Sequence, residues 1–365
     1  MPAIGMIFSI VGELASPLQQ WLARGLRQEL ERRGHVYVEP GSRDLRLVLN
    51  FVDPQRPRPY RRRARATFVC SVAEAPAPPQ DVLKAAYPLL IRSLSNLLLY
   101  VVPNGQRVST YFVTLEQGYY DVPYDADEPA YFARLYERLH PLASSNLIID
   151  NIFEPDLPES LWQGDEAVEQ IRRASRRLGE LDLLPAPFPI QEILPPEDLR
   201  HVQHLYGIGG LSYGNISARR DRTSFWMSAS GVNKYRLETV GQDILLVKRY
   251  DAERNAMILS VPPHVTPRRV SVDAIEHWMI YTEHPQVGAI LHVHAWMEGV
   301  RSTQVNYPCG TLELAQSVAN LVREAPDPGR AVIGLRNHGL TITGPSLDEI
   351  FERIEGRLIR QVPMM

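Results

Sequence analysis

At 365 residues the chain is long for a single core and suits two domains, and its 44% hydrophobic and 22% charged residues exclude a disordered polymer. A net charge of −3 excludes a global attraction to nucleic acid or to an anionic membrane surface, and Lys84, Lys234 and Lys248, the only lysines, leave few candidates for a Schiff base. Cys70 and Cys309 lie far apart in the chain, which excludes a disulfide framework and fits a reducing cytoplasm.

The opening MPAIGMIFSIVGELAS lacks the basic n-region of a secretory signal and reads as a first strand, Ile7 to Val11. Ser16-Pro17 then offers an N-cap followed by proline at the first helical position, which predicts an amphipathic helix from Leu18 to Arg33. Strand-like runs recur at Leu45 to Val52, Thr67 to Val72, Leu98 to Val102 and Tyr111 to Leu115, with a helical stretch from Val82 to Ser93. Arg92, Ser93, Ser95 and Asn96 interrupt the longest apolar region, so it does not predict a membrane-spanning helix. Glu128 to Leu139 and Glu166 to Leu178 read as two further helices. This alternation predicts a helix-flanked sheet and a first α/β domain over residues 1–185. The boundary is set by LLPAPFPIQEILPPED (Leu183 to Asp198), whose five prolines sustain neither a helix nor a central strand. A second domain then occupies 186–365.

Three local signals are discounted. RPRPYRRRARA (Arg56 to Ala66) carries six arginines but lies between two strand candidates and reads as a solvated hairpin loop rather than a phosphate site. YGIGGLSYG (Tyr206 to Gly214) lacks the spacing of a dinucleotide loop. YYDVPYDADEPAYF (Tyr119 to Phe132) reads as packing rather than a ligand groove.

Chemistry concentrates in the second domain. Ile290 to His294 has the apolar, β-branched character of a buried strand, which sets His292 and His294 on one face about 7 Å apart. Alone, such a pair is more often two unrelated rings than part of a metal site. AVIGLRNHGLTITG (Ala331 to Gly344) reads as strand, tight turn, strand, with His338 in the turn, and supplies a third imidazole. Upstream, SVDAIEHWMIY (Ser271 to Tyr281) has helical periodicity; Ser271 suits an N-cap, placing Asp273 in the first turn. Three imidazoles and a carboxylate suit a divalent transition ion, zinc first and manganese or cobalt as alternatives. Such an ion polarises a carbonyl and stabilises an enediolate while the carboxylate moves a proton.

With SYGNIS (Ser212 to Ser217), SASGVNKYRL (Ser228 to Leu237), SVDAIEH (Ser271 to His277), HVH (His292 to His294) and NHG (Asn337 to Gly339) in that order, the stretch from about Asp198 to Leu358 resembles the class II aldolase/adducin family. The resemblance implies a three-layer α/β/α domain on a mostly antiparallel sheet. It implies that His292, His294 and His338 ligate the metal, that Asp273 is the catalytic carboxylate, and that Ser212, Asn215, Ser230, Gly231 and Ser271 bind substrate or its phosphate. The activity implied is a metal-dependent lyase on a small hydroxycarbonyl or sugar phosphate. The alternatives are an epimerase, decarboxylase or dehydratase on the same site, or a non-catalytic adducin-like interaction module. Family members are commonly tetramers, so a homo-oligomer is implied as well, with no nucleic-acid or membrane partner.

The chain departs from the family pattern in three places. Val272 replaces a second small hydroxyl residue before the carboxylate, and aspartate stands where the aldolases carry glutamate. The segment after HVH is shorter by about twenty residues, which removes the usual proton donor and leaves Glu298, Arg301 and Tyr307 as local candidates. The first domain has no counterpart in the compact family members.

Overall fold

The computed structural model describes residues 5–42, 44–64, 66–104, 107–148, 150–183, 190–200 and 213–364, and contains a seven-stranded and a nine-stranded sheet. The first unit comprises Met1–Ser144 with Pro187–His204 and Met364–Met365, and the second Ser145–Ala186 with Leu205–Pro363. The sequence places one cut near residue 185, whereas residues 145–186 belong to the second unit by contact. The proline-rich stretch is not free of helix, since Ile190–Ile193 is a short helix and a further helical turn starts at Pro196, and its composition does not reveal which sheet the preceding strand joins.

In the first unit, β1 (Ile7–Gly12), α1 (Pro17–Arg32), β2 (Val36–Tyr37), β3 (Leu47–Phe51), β4 (Phe68–Glu74), α2 (Val82–Arg92), β5 (Leu97–Asn104), β6 (Arg107–Thr114), β7 (Gly118–Pro123) and α3 (Glu128–Ser144) follow in order. The sheet runs β2-β1-β3-β4-β5-β6-β7, parallel from β2 to β5 and antiparallel through β6 and β7. β3 is buried along its whole length, as parallel strands usually are, which explains its unbroken LVLNF composition. Ser16 caps α1 by accepting from Gln19 N, with Pro17 in the first turn. Leu22 and Leu26 of α1 and Tyr131 and Leu135 of α3 close over Phe8, Leu47 and Leu49.

The arginine-rich passage between β3 and β4 is not a hairpin loop, because those two strands pair in parallel. A parallel pair requires the chain to return to its starting edge; the passage is therefore a crossover, tied down where Asn50 Nδ2 donates to Arg58 O at 3.0 Å. The Tyr119–Phe132 run becomes strand β7 and the start of α3, with Tyr131 stacked on Trp21 and Tyr124 set edge-on to both rings.

The second unit contains β8 (Asp150–Glu154), α4 (Glu166–Leu181), β9 (Asn215–Arg219), β10 (Phe225–Ser228), β11 (Ile244–Asp251), β12 (Ala256–Ser260), α5 (Ala274–Glu283), β13 (Ala289–Val293), β14 (Arg301–Ser302), α6 (Leu312–Arg323), β15 (Val332–Leu335), β16 (Gly339–Gly344) and α7 (Leu347–Ile354). Sheet order is β14-β15-β16-β13-β9-β10-β11-β12-β8. Every pair from β15 to β12 is antiparallel, and the edge strands β14 and β8 add in parallel. β8 pairs with β12 from Ala256↔Asp150 to Ser260↔Glu154, which is why residues 145–186 fold here. α4 is anchored by Ser175 Oγ, which donates to Lys234 O at 2.9 Å and accepts from Leu237 N at 3.1 Å. The fully buried Trp226 adds an indole N–H donated to Asp165 Oδ2 at 3.0 Å. No described helix is long and apolar enough to cross a membrane.

Candidate metal centre

Sheet register builds the floor of the site. Asn215 on β9, His292 on β13 and Thr341 on β16 are direct cross-strand partners, so the three side chains share one face in a single row. Helix α5 lays its acidic turn against that row. Asn215 Nδ2 donates to Asp273 Oδ2 at 2.7 Å, and Thr341 Oγ1 donates to Glu276 Oε1 at 2.6 Å, so His292 stands between the two strands that hold the carboxyls. The helix starts at Ala274, with Asp273 in the capping position and Ser271 outside it, two residues later than the sequence suggests. Asp273 does not cap with its side chain; instead, its other oxygen accepts from Gly310 N at 3.3 Å.

His338 reaches the row from the β15–β16 turn. Asn337 supplies the left-handed conformation there (φ 59°), and His338 N closes the turn on Leu335 O at 3.0 Å. Gly339 is required by close approach: a Cβ would stand 2.2 Å from the Val293 carbonyl oxygen. Any larger residue would separate β16 from β13 and with it His338 from His294.

Three rings result, with centroids 4.6 to 5.2 Å apart and nearly edge-to-face. One nitrogen from each lies within 4.8 Å of the other two, and Nε2 of His294 and His338 are 3.0 Å apart. All three residues are buried. Nδ1 of His292 meets the Leu340 carbonyl at 3.0 Å, which makes Nδ1 the donor and leaves the Nε2 lone pair inward. That Nε2 is buried and has no hydrogen-bond partner. Burial, followed by the neighbouring rings, holds His294 well below the ordinary imidazole range; burial also pushes His338 down to about 3. Neutral rings with inward lone pairs are the form that binds a divalent ion, and the donor set fits one. The Tyr213 ring sits 5.1 Å from that of His294.

Residues 199–304 match the family described as Class II Aldolase and Adducin N-terminal domain. The C-terminal part of this chain is a class II aldolase/adducin-like domain. Similar solved structures include YgbL from Escherichia coli, a candidate aldolase/epimerase/decarboxylase, at 16% identity over 51% of this chain and 82% of that one with a TM-score of 0.34. The corresponding protein from Klebsiella pneumoniae is 16% identical over 53% and 92% with the same TM-score, 0.34. An L-fuculose 1-phosphate aldolase is 16% identical over 55% and 92%, again at 0.34. No curated protein matches the chain.

Within the aldolase-like domain, Ser230, Gly231 and Ser271 are brought together by the Ala229↔Val270 bridge: Ser230 N donates to Arg269 O at 2.8 Å and Ser271 N to Ser228 O at 3.1 Å. Ser230 is exposed, Ser271 is buried, and Gly231 adopts φ 69°. Ser212 lies outside the described residues. Of the replacement donors, Arg301 is an exposed residue paired with Glu324 at 2.6 Å, Glu298 is exposed, and Tyr307 is half-buried with its hydroxyl pushed up by burial.

Sequence reasoning passes over three groups that the fold brings here. Glu276 is one turn beyond Asp273 and buried; burial and then the charge of Asp273 hold its carboxyl above the usual range. Lys234 is buried and pushed down to about 8 by burial, with the charge of Asp273 opposing that shift. Cys309 Sγ lies 3.0 Å from Nδ1 and 3.2 Å from Nε2 of His338. The i, i+3 spacing of Asp273 and Glu276 could have flagged the first. Nothing in the chain's spacing flags the cysteine.

Behind the row, Ser217 Oγ joins His277 Nδ1 at 2.7 Å and Tyr281 Oη at 2.8 Å. Burial pushes His277 down to about 3 from 6.5. The unfolded chain therefore binds a proton that the folded chain does not as pH falls from 6.5 towards 3, and stability rises with pH across that window. His35 and His140 in the first unit are lowered by burial and act in the same direction. Glu276, raised, opposes them from 4.5 upwards. Metal-stripped protein should thus lose stability through His277 as pH falls below 6.5, on the order of 1.4 kcal/mol per pH unit, and through Glu276 as pH rises from 6.5 towards 8. A His277→Gln variant whose midpoint falls as steeply as wild type over pH 6.5 to 4.5 would refute that assignment.

Proposed function

We propose that the protein is a metal-dependent lyase of the class II aldolase type, making or breaking a carbon–carbon bond in a small hydroxycarbonyl or sugar-phosphate-like substrate. The reading is carried by the buried, partnerless Nε2 of His292 facing the His294 and His338 donors. Leaving such a nitrogen unpaired costs roughly 1–3 kcal/mol, which a bound cation would offset. His292, His294 and His338 would hold it, with zinc first by donor type and manganese or cobalt as alternatives. When bound, the ion supplies Lewis-acid polarisation of a carbonyl.

Asp273 in this reading is the base that removes a proton beside that carbonyl. Hydrogen bonds from Asn215 and Gly310 fix both of its oxygens, so little reorientation is needed at the moment of transfer. The two neighbouring carboxyls divide their roles by environment. Burial, and then the charge of Asp273, pushes Glu276 up to about 8, so Glu276 is the carboxyl that keeps its proton at neutral pH. Ser212, Asn215, Ser230, Gly231 and Ser271 would bind the substrate's polar or anionic end through hydroxyls, an amide and glycine backbone. The domain's helices and antiparallel strands would then form the three-layer α/β/α frame of the family.

The test is a panel of ketose and aldonate substrates, phosphorylated and not, incubated with zinc-, manganese- and cobalt-loaded protein. Two fragments are expected from at least one substrate. Conversion to an isomer without fragments would replace the lyase by an epimerase, and no turnover across the panel would favour the interaction-module reading.

A further inference from the structure

We propose that a cleft at the C-terminal end of α5 binds a small phosphate-bearing molecule, as a site separate from the metal centre and independent of the reading given to that centre. The metal centre lies at the other end of the same helix, whose 10 residues span about 15 Å. The cleft has a volume of about 260 Å³, just under the roughly 300–1,000 Å³ of drug-sized sites, and so suits a smaller ligand. Among the described residues its lining holds the cations Arg219, Arg222, Lys248 and Arg249 and no carboxylate.

Strand irregularity gathers this charge. Neighbouring residues of a regular strand point to opposite faces. In β11 the register shifts between Val247, paired with Leu259, and Arg249, paired with Ile258, which leaves Lys248 as the extra residue of a bulge. The bulge lets Lys248 and Arg249, adjacent in sequence, line one cleft. Two of the four cations are spent on structure. Arg219 donates to the carbonyls of Val287, Tyr281 and His284 at 2.7, 2.8 and 2.9 Å and lies 4.6 Å over the Tyr281 ring, so it neutralises the helix end that would otherwise repel an anion. Lys248 is held between Glu154 and Asp156. The other two are left for a ligand: Arg222, in the β9–β10 turn, forms no ion pair among the described residues, and Arg249 has only a loose one, 3.6 Å to Glu154. Guanidinium forks match phosphate oxygens. Ser224 adds a hydroxyl between the strands; it is buried, and its Oγ, set near Asp221, completes no hydrogen bond. Asp221 is itself turned into the hairpin, accepting from Thr223 N at 2.9 Å and Ser224 N at 2.8 Å and pairing with Arg220. Trp278, half-buried and edge-on to Tyr250 at 5.6 Å, gives an apolar wall for the carbon body of the ligand.

Nuclear magnetic resonance of the full chain with nitrogen-15-labelled tryptophan, titrated with phenyl phosphate, tests this. The indole signal of Trp278, identified by its absence from Trp278→Phe, should shift and saturate, and inorganic phosphate should reverse the shift by competition. Phenol, which lacks the phosphate, should bind at least about tenfold more weakly, the worth of one charge-assisted hydrogen bond. An Arg222→Ala, Arg249→Ala double variant changes two exposed side chains, so its other indole signals should stay in place while its affinity for phenyl phosphate falls by at least about tenfold. The His292→Ala, His294→Ala variant should bind phenyl phosphate as wild type does. A Trp278 signal that phenyl phosphate does not move, equal affinity for phenol, undiminished binding by the double-arginine variant, or binding lost with the two histidines would each overturn the proposal. The first three outcomes leave the metal centre standing, and the last would move the phosphate to it.

Discussion

A His292→Ala, His294→Ala double substitution in untagged protein should reduce bound divalent metal from near one equivalent to background and abolish turnover. Two of the three inward lone pairs disappear, and a single remaining imidazole does not hold a divalent ion against water. Turnover should fall by at least the roughly 10²–10³-fold that loss of one positioned electrostatic stabiliser costs. The stability readout separates this from misfolding. Metal held at about a thousand times its dissociation constant adds about 4 kcal/mol to the folded state, so chelation should lower the wild-type melting temperature and leave that of the variant unmoved. The metal-free variant loses the His292 Nδ1 hydrogen bond to Leu340 O and the His294–His338 contact but keeps the β13–β16 ladder, so it should remain folded. Plasma-emission metal analysis with chelator melts decides the matter. A variant holding as much metal as wild type, or wild type that takes up neither zinc, manganese nor cobalt, would defeat the assignment.

What the sequence reveals about this centre depends on distance along the chain. His292 and His294 are two residues apart on a strand, and strand periodicity alone puts them on one face. His338 joins them through the pairing of β13 with β16, and that pairing is set by register, which no local pattern encodes. The same holds for the Asn215–His292–Thr341 row, whose members come from three strands. Motif order, not periodicity, drew Asn215 and His338 into one list. Thr341 lies in no motif and Glu276 lies inside SVDAIEH without being singled out there, so only the coordinates place both in the same polar layer.

Cys309 is legible in the sequence only as one of two distant cysteines, because its place beside His338 depends on a turn seated against Val272 far from it in sequence. In the first unit, β1, α1, β3, β4, α2, β5, β6 and α3 follow local pattern, whereas the strands β2 and β7 are not announced by it. The error over Arg56 to Ala66 arises because a loop's composition is the same whether it reverses the chain or carries it across to a parallel neighbour. Similarly, β8 has ordinary strand composition, and its partner β12 lies across the proline-rich break. Local chemistry writes elements; the choice of partner is a property of the whole sheet.

Asp273→Asn should retain metal yet lose on the order of 10²–10⁴ in turnover, the usual worth of a positioned proton-transfer group. Retention of metal follows from geometry, since the carboxylate accepts from Asn215 and Gly310 and is outside the three-ring donor group. Folding should also survive. The new amide nitrogen would oppose Asn215 Nδ2, but Asn215 Oδ1 is buried without a partner, so rotating the Asn215 amide turns the clash into a hydrogen bond. The other oxygen still accepts from Gly310 N. What the substitution removes is the negative charge and the capacity to take a proton, and with the charge goes the opposition to burial that favours a charged Lys234. Metal analysis together with steady-state rates on whichever substrate the panel identifies separates the possible roles. Metal lost along with activity would make Asp273 a ligand rather than the base, and undiminished turnover with full metal would remove it from the reaction.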